Sequence, residues 1–340
     1  MIPPAPRPRP EPPPPRHLST PFQPAPEPAG AKAIRRLLAA ALLLAAGPAG
    51  AGEIAAITSQ NAGALTLLDP ATLATVATAP LPGKPAAVAV DAARGRILVV
   101  AVETARLHVL DLDGRPLAAH PLPGAPFGVA VRPAAGTALV TDWEGRLHEV
   151  DPATGAVLRS VAVGAVPSGV AVTPDDRLAV TADRDADSLS LVDLATFEVR
   201  ATVPVGHHPF GVTVQAGRAF AADVLDDTVS VVDLARAERV ATIPVGARPY
   251  AVAFAAGRGF VTNQYGASVT AFDAATLAVL AEIPVGEYPE GIAAAADGRL
   301  LVACWFDDVV VALDPIALAV TATTDLPEGP RAFGAFIGGR

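Results

Sequence analysis

The chain has 340 residues, a formal net charge of −9, 51% hydrophobic residues and only 17% charged residues. The first 51 residues carry six basic and two acidic groups, so the other 19 basic and 32 acidic groups give the body a charge of −13. This acidic body argues against broad, charge-driven binding to nucleic-acid backbones, which needs a basic surface.

The N-terminal 51 residues divide into two parts. Residues 1–30 hold 13 prolines, a composition that cannot pack as helix or sheet, so we expect a disordered segment there. Residues 31–51 combine a basic flank, a ten-residue apolar run at 37–46 and small residues at Ala49 and Ala51. That pattern predicts a secretory signal peptide, and its apolar run is too short to span a bilayer. We therefore expect an exported protein, periplasmic or secreted, whose mature chain begins near Gly52 without a transmembrane segment.

From residue 52 onward the chain repeats one unit, which is clearest at residues 168–209. Each full unit holds four short apolar runs, rich in β-branched residues and bounded by turn residues, and such runs predict strands. Successive closing prolines lie 40 to 42 residues apart. These markers are Pro85, Pro126, Pro167, Pro209, Pro249, Pro289 and Pro330, with aspartates ending the third runs at Asp69, Asp111, Asp151, Asp193, Asp233, Asp273 and Asp314. Two markers sharing one period predict an all-β protein, a seven-bladed β-propeller with four-stranded blades over residues 52–340.

The two ends of the repeat array are complementary. The first unit begins at residues 54–58 without the opening run that the other units have, and a run of that type occurs at residues 332–338. We therefore expect the C-terminal strand to complete the N-terminal blade, since closure removes the free sheet edges. Glycines in the opening runs, such as Gly128 and Gly211, should let the strands crowd near the axis.

The repeated aspartates and the lone cysteine have simple structural interpretations. An aspartate before Pro-Ala-Thr or Leu-Ala-Thr bonds its own backbone and starts a turn, so we do not interpret the seven as metal ligands. Cys304 is the only cysteine, so it can form no internal disulfide. We expect it to be a buried, unreactive thiol at the end of a strand.

Several segments resemble a known repeat class. Residues 261–273 read VTNQYGASVTAFD, residues 178–193 read LAVTADRDADSLSLVD, and Pro-Val-Gly joints occur at 204–206, 244–246 and 284–286. With these motifs the chain resembles the YVTN-type β-propeller repeat family over residues 52–340, and Phe260 to Asn263 keep the aromatic-Val-Thr-Asn core best. The resemblance implies an exported or surface-associated propeller. Some members of the family resemble nucleic-acid-binding periplasmic proteins, and others accompany quinoprotein dehydrogenases.

The candidate binding residues lie in two sets of loops. The joints between blades and the loops between second and third strands should emerge on one face, where propellers usually place function. Both tryptophans and two of the three tyrosines of the chain fall in these loops, and aromatic rings with polar neighbours are typical of binding surfaces. The predicted ligand-binding residues are Lys84, Asp142, Trp143, His207, His208, Asp223, Arg248, Asn263, Tyr265, Glu287, Tyr288, Trp305 and Arg331. The alternative is that Trp143 and Trp305 only cover the end of the core.

The same loops contain histidines and carboxylates, the side chains that catalytic and metal sites use. Adjacent histidines such as His207 and His208 usually point apart, and a metal site needs three or four convergent ligands, so we predict no metal site. A mixed site with Asp223 or Glu287 is the open alternative. The sequence contains no nucleophile elbow, haem-attachment motif or glycine-rich phosphate loop. We therefore predict no catalytic residue and no cofactor.

Three functions are compatible with this pattern. The first is a non-enzymatic binding or scaffold protein, monomeric, whose top-face funnel holds a protein partner or a small ligand. The second is a propeller enzyme or enzyme subunit, lactonase-like or associated with a quinoprotein dehydrogenase, that uses Arg248, His208 and Glu287 with Asp223 and Asn263. The third is single-stranded nucleic-acid binding across the aromatic residues, which the acidic body disfavours.

Overall fold

The computed structural model describes residues 52–339; the proline-rich segment and signal peptide predicted in residues 1–51 lie outside the described residues. Residues 52–339 form 28 strands in seven four-stranded sheets. The predicted all-β, seven-bladed propeller is therefore confirmed. The only helical pieces of this part of the chain are single 3₁₀ turns at Ala92–Arg94 and Arg184–Ala186. None of its helices is both long and apolar enough to cross a bilayer.

The strands are numbered in chain order, and each blade runs from an inner strand at the axis to an outer strand. Blade 1 contains β1 (Glu53–Ser59), β2 (Ala64–Leu68), β3 (Thr75–Pro80) and β28 (Ile337–Gly339). Blade 2 contains β4 (Pro85–Asp91), β5 (Arg96–Ala101), β6 (Arg106–Asp111) and β7 (Pro116–Pro121). Blade 3 contains β8 (Pro126–Arg132), β9 (Thr137–Asp142), β10 (Arg146–Val150) and β11 (Val157–Ala162).

The remaining blades follow the same order. Blade 4 contains β12 (Pro167–Val172), β13 (Leu178–Asp183), β14 (Ser188–Asp193) and β15 (Glu198–Pro204). Blade 5 contains β16 (Pro209–Gln215), β17 (Arg218–Asp223), β18 (Thr228–Asp233) and β19 (Glu238–Pro244). Blade 6 contains β20 (Pro249–Ala255), β21 (Arg258–Asn263), β22 (Ser268–Asp273) and β23 (Val279–Pro284). Blade 7 contains β24 (Pro289–Ala294), β25 (Leu300–Cys304), β26 (Val309–Asp314) and β27 (Ala319–Asp325).

The C-terminal segment completes blade 1, as predicted, but its regular strand is shorter than the predicted run. Only β28 pairs with β1 as a ladder, antiparallel, with Ile337 opposite Ala55. The preceding residues follow β1 and β4 irregularly, since the Ala56 N–H donates to the Phe336 carbonyl and the Val88 N–H to the Phe333 carbonyl. Gly334 has a φ of +119°, which breaks the extended backbone within the predicted run at 332–338. The ring is closed by backbone hydrogen bonds to both neighbouring strands.

A register shift near the start of each inner strand from β4 to β24 shapes the centre of the ring. In blade 3, for example, Pro126 lies opposite Asp142 but Val129 opposite Val140, so the inner strand contains one extra residue. Such a bulge re-aims the side chain that follows the proline toward the axis. The predicted crowding of inner strands is confirmed, because a Cβ on Gly211 would collide with the Tyr250 carbonyl of the next blade.

The repeated aspartates form the turns between third and fourth strands, as predicted. At Asp193, one carboxylate oxygen accepts the backbone N–H groups of Ala195 and Thr196 at 2.8 and 3.1 Å. These bonds lower the pKa of the Asp193 carboxyl. The same bond to the residue two positions later occurs at Asp69, Asp111, Asp151, Asp233, Asp273 and Asp314.

The hydrophobic core is divided among the spaces between adjacent blades. One cluster joins Val180 and Leu189 of blade 4 to Val212 and Ala221 of blade 5. Cys304 belongs to the cluster between blades 6 and 7 and is fully buried, as predicted, and burial raises the pKa of its thiol to about 12. Because every blade packs on two neighbours, the loops at the ends of the strands stand on a rigid ring.

Candidate functional site

The direction of the chain defines two faces. Each inner strand begins at a joint, and its neighbour returns to the same face, so the joints and the loops between second and third strands share one face, the top face. The turns formed by the repeated aspartates lie on the opposite, lower face. All of the predicted binding residues therefore belong to the top face or to strand ends beneath it.

Three predicted binding residues are buried at the ends of second strands. Asp142, Asp223 and Asn263 are 0 to 1% exposed. Asp223 accepts a hydrogen bond from the Ser230 hydroxyl at 2.7 Å, and the Asn263 amide donates to the Thr270 hydroxyl at 2.8 Å. These side chains hold the second strand to the third and present no surface on the top face. We leave them out of the binding surface proposed below.

Asp142 differs from its equivalents because its partner is a histidine. Its carboxylate accepts the N–H groups of Ala125 and Glu144 at 2.8 and 3.0 Å. The Nε2 atom of His148 lies 3.3 Å from the same carboxylate, and its Nδ1 atom lies 2.7 Å from the Ser160 hydroxyl. Asp142 therefore fastens the joint before blade 3 to the end of its second strand.

The joints present four of the predicted residues through an unusual backbone. Lys84, His208, Arg248 and Tyr288 each precede a marker proline and have φ between +54° and +61°. A left-handed backbone at a residue with a side chain is strained, so other contacts must hold it. The Arg248 N–H, for instance, donates to the Asp227 carboxylate at 2.8 Å. The joints are thus built to display the side chain that stands before the proline.

Trp143 forms the first aromatic feature of the top face. Its indole is 37% exposed and stacks on Phe127, with ring centroids 5.0 Å apart and an interplanar angle of 24°. The Arg184 guanidinium lies over the indole, 5.0 Å from its ring centroid. The indole of Trp143 therefore rests on Phe127 and also contacts a cation, and each contact is worth about 0.5–2 kcal/mol.

A second aromatic group spans the joint between blades 6 and 7. Tyr265 is 49% exposed, and its ring centroid lies 5.1 Å from that of Tyr288. Tyr288 in turn lies 6.2 Å from Trp305 and 5.2 Å from Phe306. The Arg248 guanidinium lies 5.9 Å from the Tyr265 ring centroid. Burial, together with the hydroxyl of Tyr265, raises the pKa of Tyr288.

The adjacent histidines point to different partners. His207 is exposed, and its Nδ1 atom lies 2.8 Å from the Asp226 carboxylate, whose hydrogen bond raises the pKa of His207. The Nδ1 atom of His208 lies 3.7 Å from Asp185, and burial, with Arg184 nearby, lowers the pKa of His208. Within residues 52–339, no three His, Cys, Asp or Glu side chains are grouped as metal ligands.

The centre of the top face is filled, whereas the sequence predicts a funnel there. Phe127, Phe210, Tyr250 and Phe333 are 3 to 8% exposed and contact one another with ring centroids 4.4 to 5.5 Å apart. We call these four rings the axial plug. The funnel prediction is wrong because the bulge after each proline aims a large side chain at the axis in blades 3, 5 and 6.

Arg331 lies on the axial plug within a polar cluster whose carboxylate, Glu290, is buried. Its guanidinium Nε lies 2.9 Å from the Glu290 carboxylate, and its other nitrogens donate to Gln60, at 3.1 Å, and to the Tyr250 hydroxyl. Gln264 donates to Glu290 at 2.8 Å. Burial on its own lowers the pKa of Arg331, but Glu290 and Tyr250 outweigh it and raise the pKa.

Of the axial plug and the polar cluster on it, only Arg331 was among the predicted binding residues. Glu290, Phe127, Phe210 and Tyr250 all stand directly after a marker proline, as does Arg331. That shared position is a signal visible in the sequence, but interpreting it requires the bulge that turns these side chains inward. Glu287, in contrast, is exposed on the rim, where its N–H donates to the Asp307 carboxylate at 2.8 Å.

The five residues of the predicted enzyme site are not brought together as a set. Asp223 and Asn263 are buried inside blades 5 and 6, whereas Glu287 is exposed at the joint before blade 7. His208 and Arg248 lie on other joints, where their backbone N–H groups donate to the carboxylates of Asp187 and Asp227. The top face therefore consists of aromatic and charged side chains spread over several blades around a filled centre.

Solved structures of low sequence identity share the fold of this chain. No family model matches this sequence, and no curated protein matches it. A Kuenenia stuttgartiensis hydrazine synthase structure is similar with a TM-score of 0.67 and 16% identity, covering 77% of this chain and 93% of that chain. A functionally unknown protein from Desulfotomaculum acetoxidans is similar with a TM-score of 0.69 and 11% identity, covering 83% of this chain and 99% of that chain. At these identities the likeness establishes the propeller fold alone.

Proposed function

We propose that this protein is a non-enzymatic binding propeller whose top face holds a segment of a partner protein. The observation that carries the proposal is two groups of exposed or half-buried aromatic rings on one face of a rigid ring, each with an arginine over one of its rings. Trp143 in blade 3 and Tyr265 in blade 6 are the most exposed rings of the two groups. Aromatic and arginine side chains supply most of the energy of protein interfaces, because they bury large areas at small entropic cost.

The shape of the surface favours a protein segment over a small ligand on this face. The axial plug fills the place where a small molecule would be enclosed, so the exposed rings lie on a shallow surface. Leu225 lies between the two aromatic groups in sequence. It is 53% exposed and offers a further apolar side chain to a partner. An extended or loop segment can lie across such a surface and contact several blades.

The charges of the top face indicate the chemistry of the partner. Glu103, Glu144, Glu287 and Glu328 are exposed on the joints and loops of this face. An acidic rim attracts basic side chains and repels phosphate groups. We therefore infer a partner segment that carries aromatic or aliphatic side chains flanked by lysine or arginine, and this charge also disfavours single-stranded nucleic acid.

Cellular location and family are part of the same proposal. The signal-peptide pattern of residues 31–51 supports a periplasmic or secreted protein, which we propose to be monomeric. The motifs at 178–193 and 261–273 support membership of the YVTN-type repeat family.

The proposal is tested by selection of displayed random peptides on the purified protein, followed by affinity measurement of the selected peptides. We expect enrichment of peptides with basic and aromatic residues. Substituting Trp143→Ala together with Tyr265→Ala should weaken binding at least about tenfold. The control is Leu117→Ala, which removes a side chain that is 61% exposed on the outer strand β7.

Two outcomes would refute the proposed function. One is the failure of any peptide to be enriched over an unrelated propeller. The other is retention of full affinity in the Trp143→Ala, Tyr265→Ala variant when its thermal unfolding matches that of the unmodified protein.

A further inference from the structure

A cavity opens on the lower face, away from the aromatic surface. It has a volume of about 580 Å³ and is lined by the inner strands of blades 2 to 7 together with the closing segment of blade 1. Its mouth lies among the lower turns, where Ala92, Pro133, Pro174 and Gln215 are exposed. We call this space the lower cavity. Its volume falls in the range of about 300–1,000 Å³ that is usual for small-molecule sites.

The lower cavity is closed at its inner end by the axial plug. Phe333 both lines the cavity and contacts Phe127, Phe210 and Tyr250 above it. The cavity is therefore a blind pocket and not a channel through the ring. A blind pocket encloses a molecule on all sides but one, so it can bury most of the surface of a small ligand.

The side chains of the wall are mainly apolar and offer no free charge. Its residues are mainly valine and alanine from the inner strands, with Phe254 and Ile292. The lining contains no Lys, Arg or His, and its one carboxylate, Asp91, is 3% exposed and lies 2.9 Å from Arg96. A charged ligand would lose its hydration without gaining a partner, which disfavours its binding strongly.

Polar side chains occur only near the mouth. The Thr213 hydroxyl donates to the Val252 carbonyl at 2.6 Å, and the Thr173 hydroxyl donates to Asp175 at 2.6 Å. Gln215 is exposed at the rim and can donate and accept hydrogen bonds. This distribution suits a molecule whose apolar body enters the cavity and whose neutral polar end stays at the opening.

We propose that the lower cavity binds a neutral, mostly apolar small molecule, as a second site independent of the top face. Burial of apolar ligand surface supplies the affinity. The site needs no titratable group, so binding should be insensitive to pH wherever the propeller stays folded. A protein segment on the top face and a small molecule in the lower cavity could be bound at the same time.

The test uses the neutral fluorophore N-phenyl-1-naphthylamine, excited where tryptophan does not absorb. We expect a saturable rise in fluorescence at one probe per chain. Ala335 lines the cavity and is exposed, so Ala335→Phe should fill space and weaken binding at least about tenfold. The matched control is Ala296→Phe, at an exposed alanine on the lower face outside the cavity lining.

The top-face variant separates this site from the proposed function. Trp143→Ala with Tyr265→Ala should bind the fluorophore normally, whatever its effect on peptides. If Ala335→Phe does not fold, Ala335→Leu provides a smaller filling residue for the same comparison. The proposal is overturned by non-saturable fluorescence, by equal binding in the filled variant and its control, or by loss of binding in the top-face variant.

Discussion

At the scale of single residues, the last position of the second strand is filled by two kinds of side chain that make the same contact. The last residue of the second strand is aspartate in blades 4 and 5, as Asp183 and Asp223, and asparagine in blade 6, as Asn263. All three are 0% exposed and bond to hydroxyls of the third strand. Burial raises the pKa of each of the two aspartates to about 6. Asparagine makes the same kind of contact without a charge.

We predict that Asp223→Asn removes part of the pH dependence of stability. Because the folded pKa lies above the unfolded value, Asp223 stabilises the fold fully below about pH 4, and this stabilisation is lost as the pH rises toward 6. At pH 7 the variant should therefore be more stable than the unmodified protein by roughly 1–3 kcal/mol, with little difference at pH 4. Urea unfolding between pH 4 and 8 measures this.

The control for Asp223→Asn is Asp193→Asn, at an exposed turn. Its neighbouring backbone N–H groups lower the pKa of Asp193, so its stabilisation is present above the unfolded pKa and lost on acidification. That variant should lose stability at pH 7. If Asp223→Asn were less stable than the unmodified protein at pH 7, burial of the Asp223 charge would not be what destabilises the fold at that pH.

At the scale of strands, a glycine and a phenylalanine form one unit in blade 6. Gly259 of β21 lies directly opposite Phe272 of β22, and the Phe272 ring occupies the space that a Cβ on Gly259 would need. The equivalent pair in blade 5 is Ala219 opposite Val232. In blade 6 the third strand alone fills this space, with Phe272. In blade 5 the second and third strands share it, with Ala219 and Val232.

We predict strong coupling between substitutions at this pair. Gly259→Ala should destabilise the protein by about 1–3 kcal/mol, because the buried ring must move. Phe272→Val should cost a similar amount through the cavity that it leaves. The double variant restores the pair of blade 5 and should be more stable than the sum of the single changes by about 1–3 kcal/mol. Simple additivity in urea unfolding would show that the ring relaxes freely.

The number and order of the strands were the features that the sequence predicted best. The marker prolines and aspartates repeat because each blade needs the same joint and the same turn, so blade number and strand order were predictable. The shorter ladder of the closing segment depends on Gly334, whose backbone geometry is not visible in a run of apolar letters. Likewise, Asp223 and Asn263 resemble loop residues in sequence, but each is the last buried residue of its strand.

At the scale of the whole ring, closure and the top face meet in the segment after Pro330. The Arg331 N–H donates to the Thr58 carbonyl of β1 at 2.7 Å, which ties the C-terminal segment to the first strand. The Arg331 side chain pairs with Glu290 of blade 7 and donates to Tyr250 of blade 6. One residue therefore links the closing segment to three blades. Besides its predicted role in ligand binding, Arg331 thus has a structural role.

We predict that Arg331→Met destabilises the ring by about 3–5 kcal/mol at neutral pH, because it leaves the Glu290 carboxylate buried without its cation. Glu290, whose pKa burial already raises, would take up a proton in this variant more readily than in the unmodified protein. The loss of stability should therefore grow as the pH rises from 5 to 8, and the double variant Glu290→Gln, Arg331→Met should recover most of it. Urea unfolding followed by tryptophan fluorescence measures both effects. A pH-independent loss that the second substitution leaves unchanged would show that Arg331 acts through its packing on Phe127 and Tyr250, not through its charge.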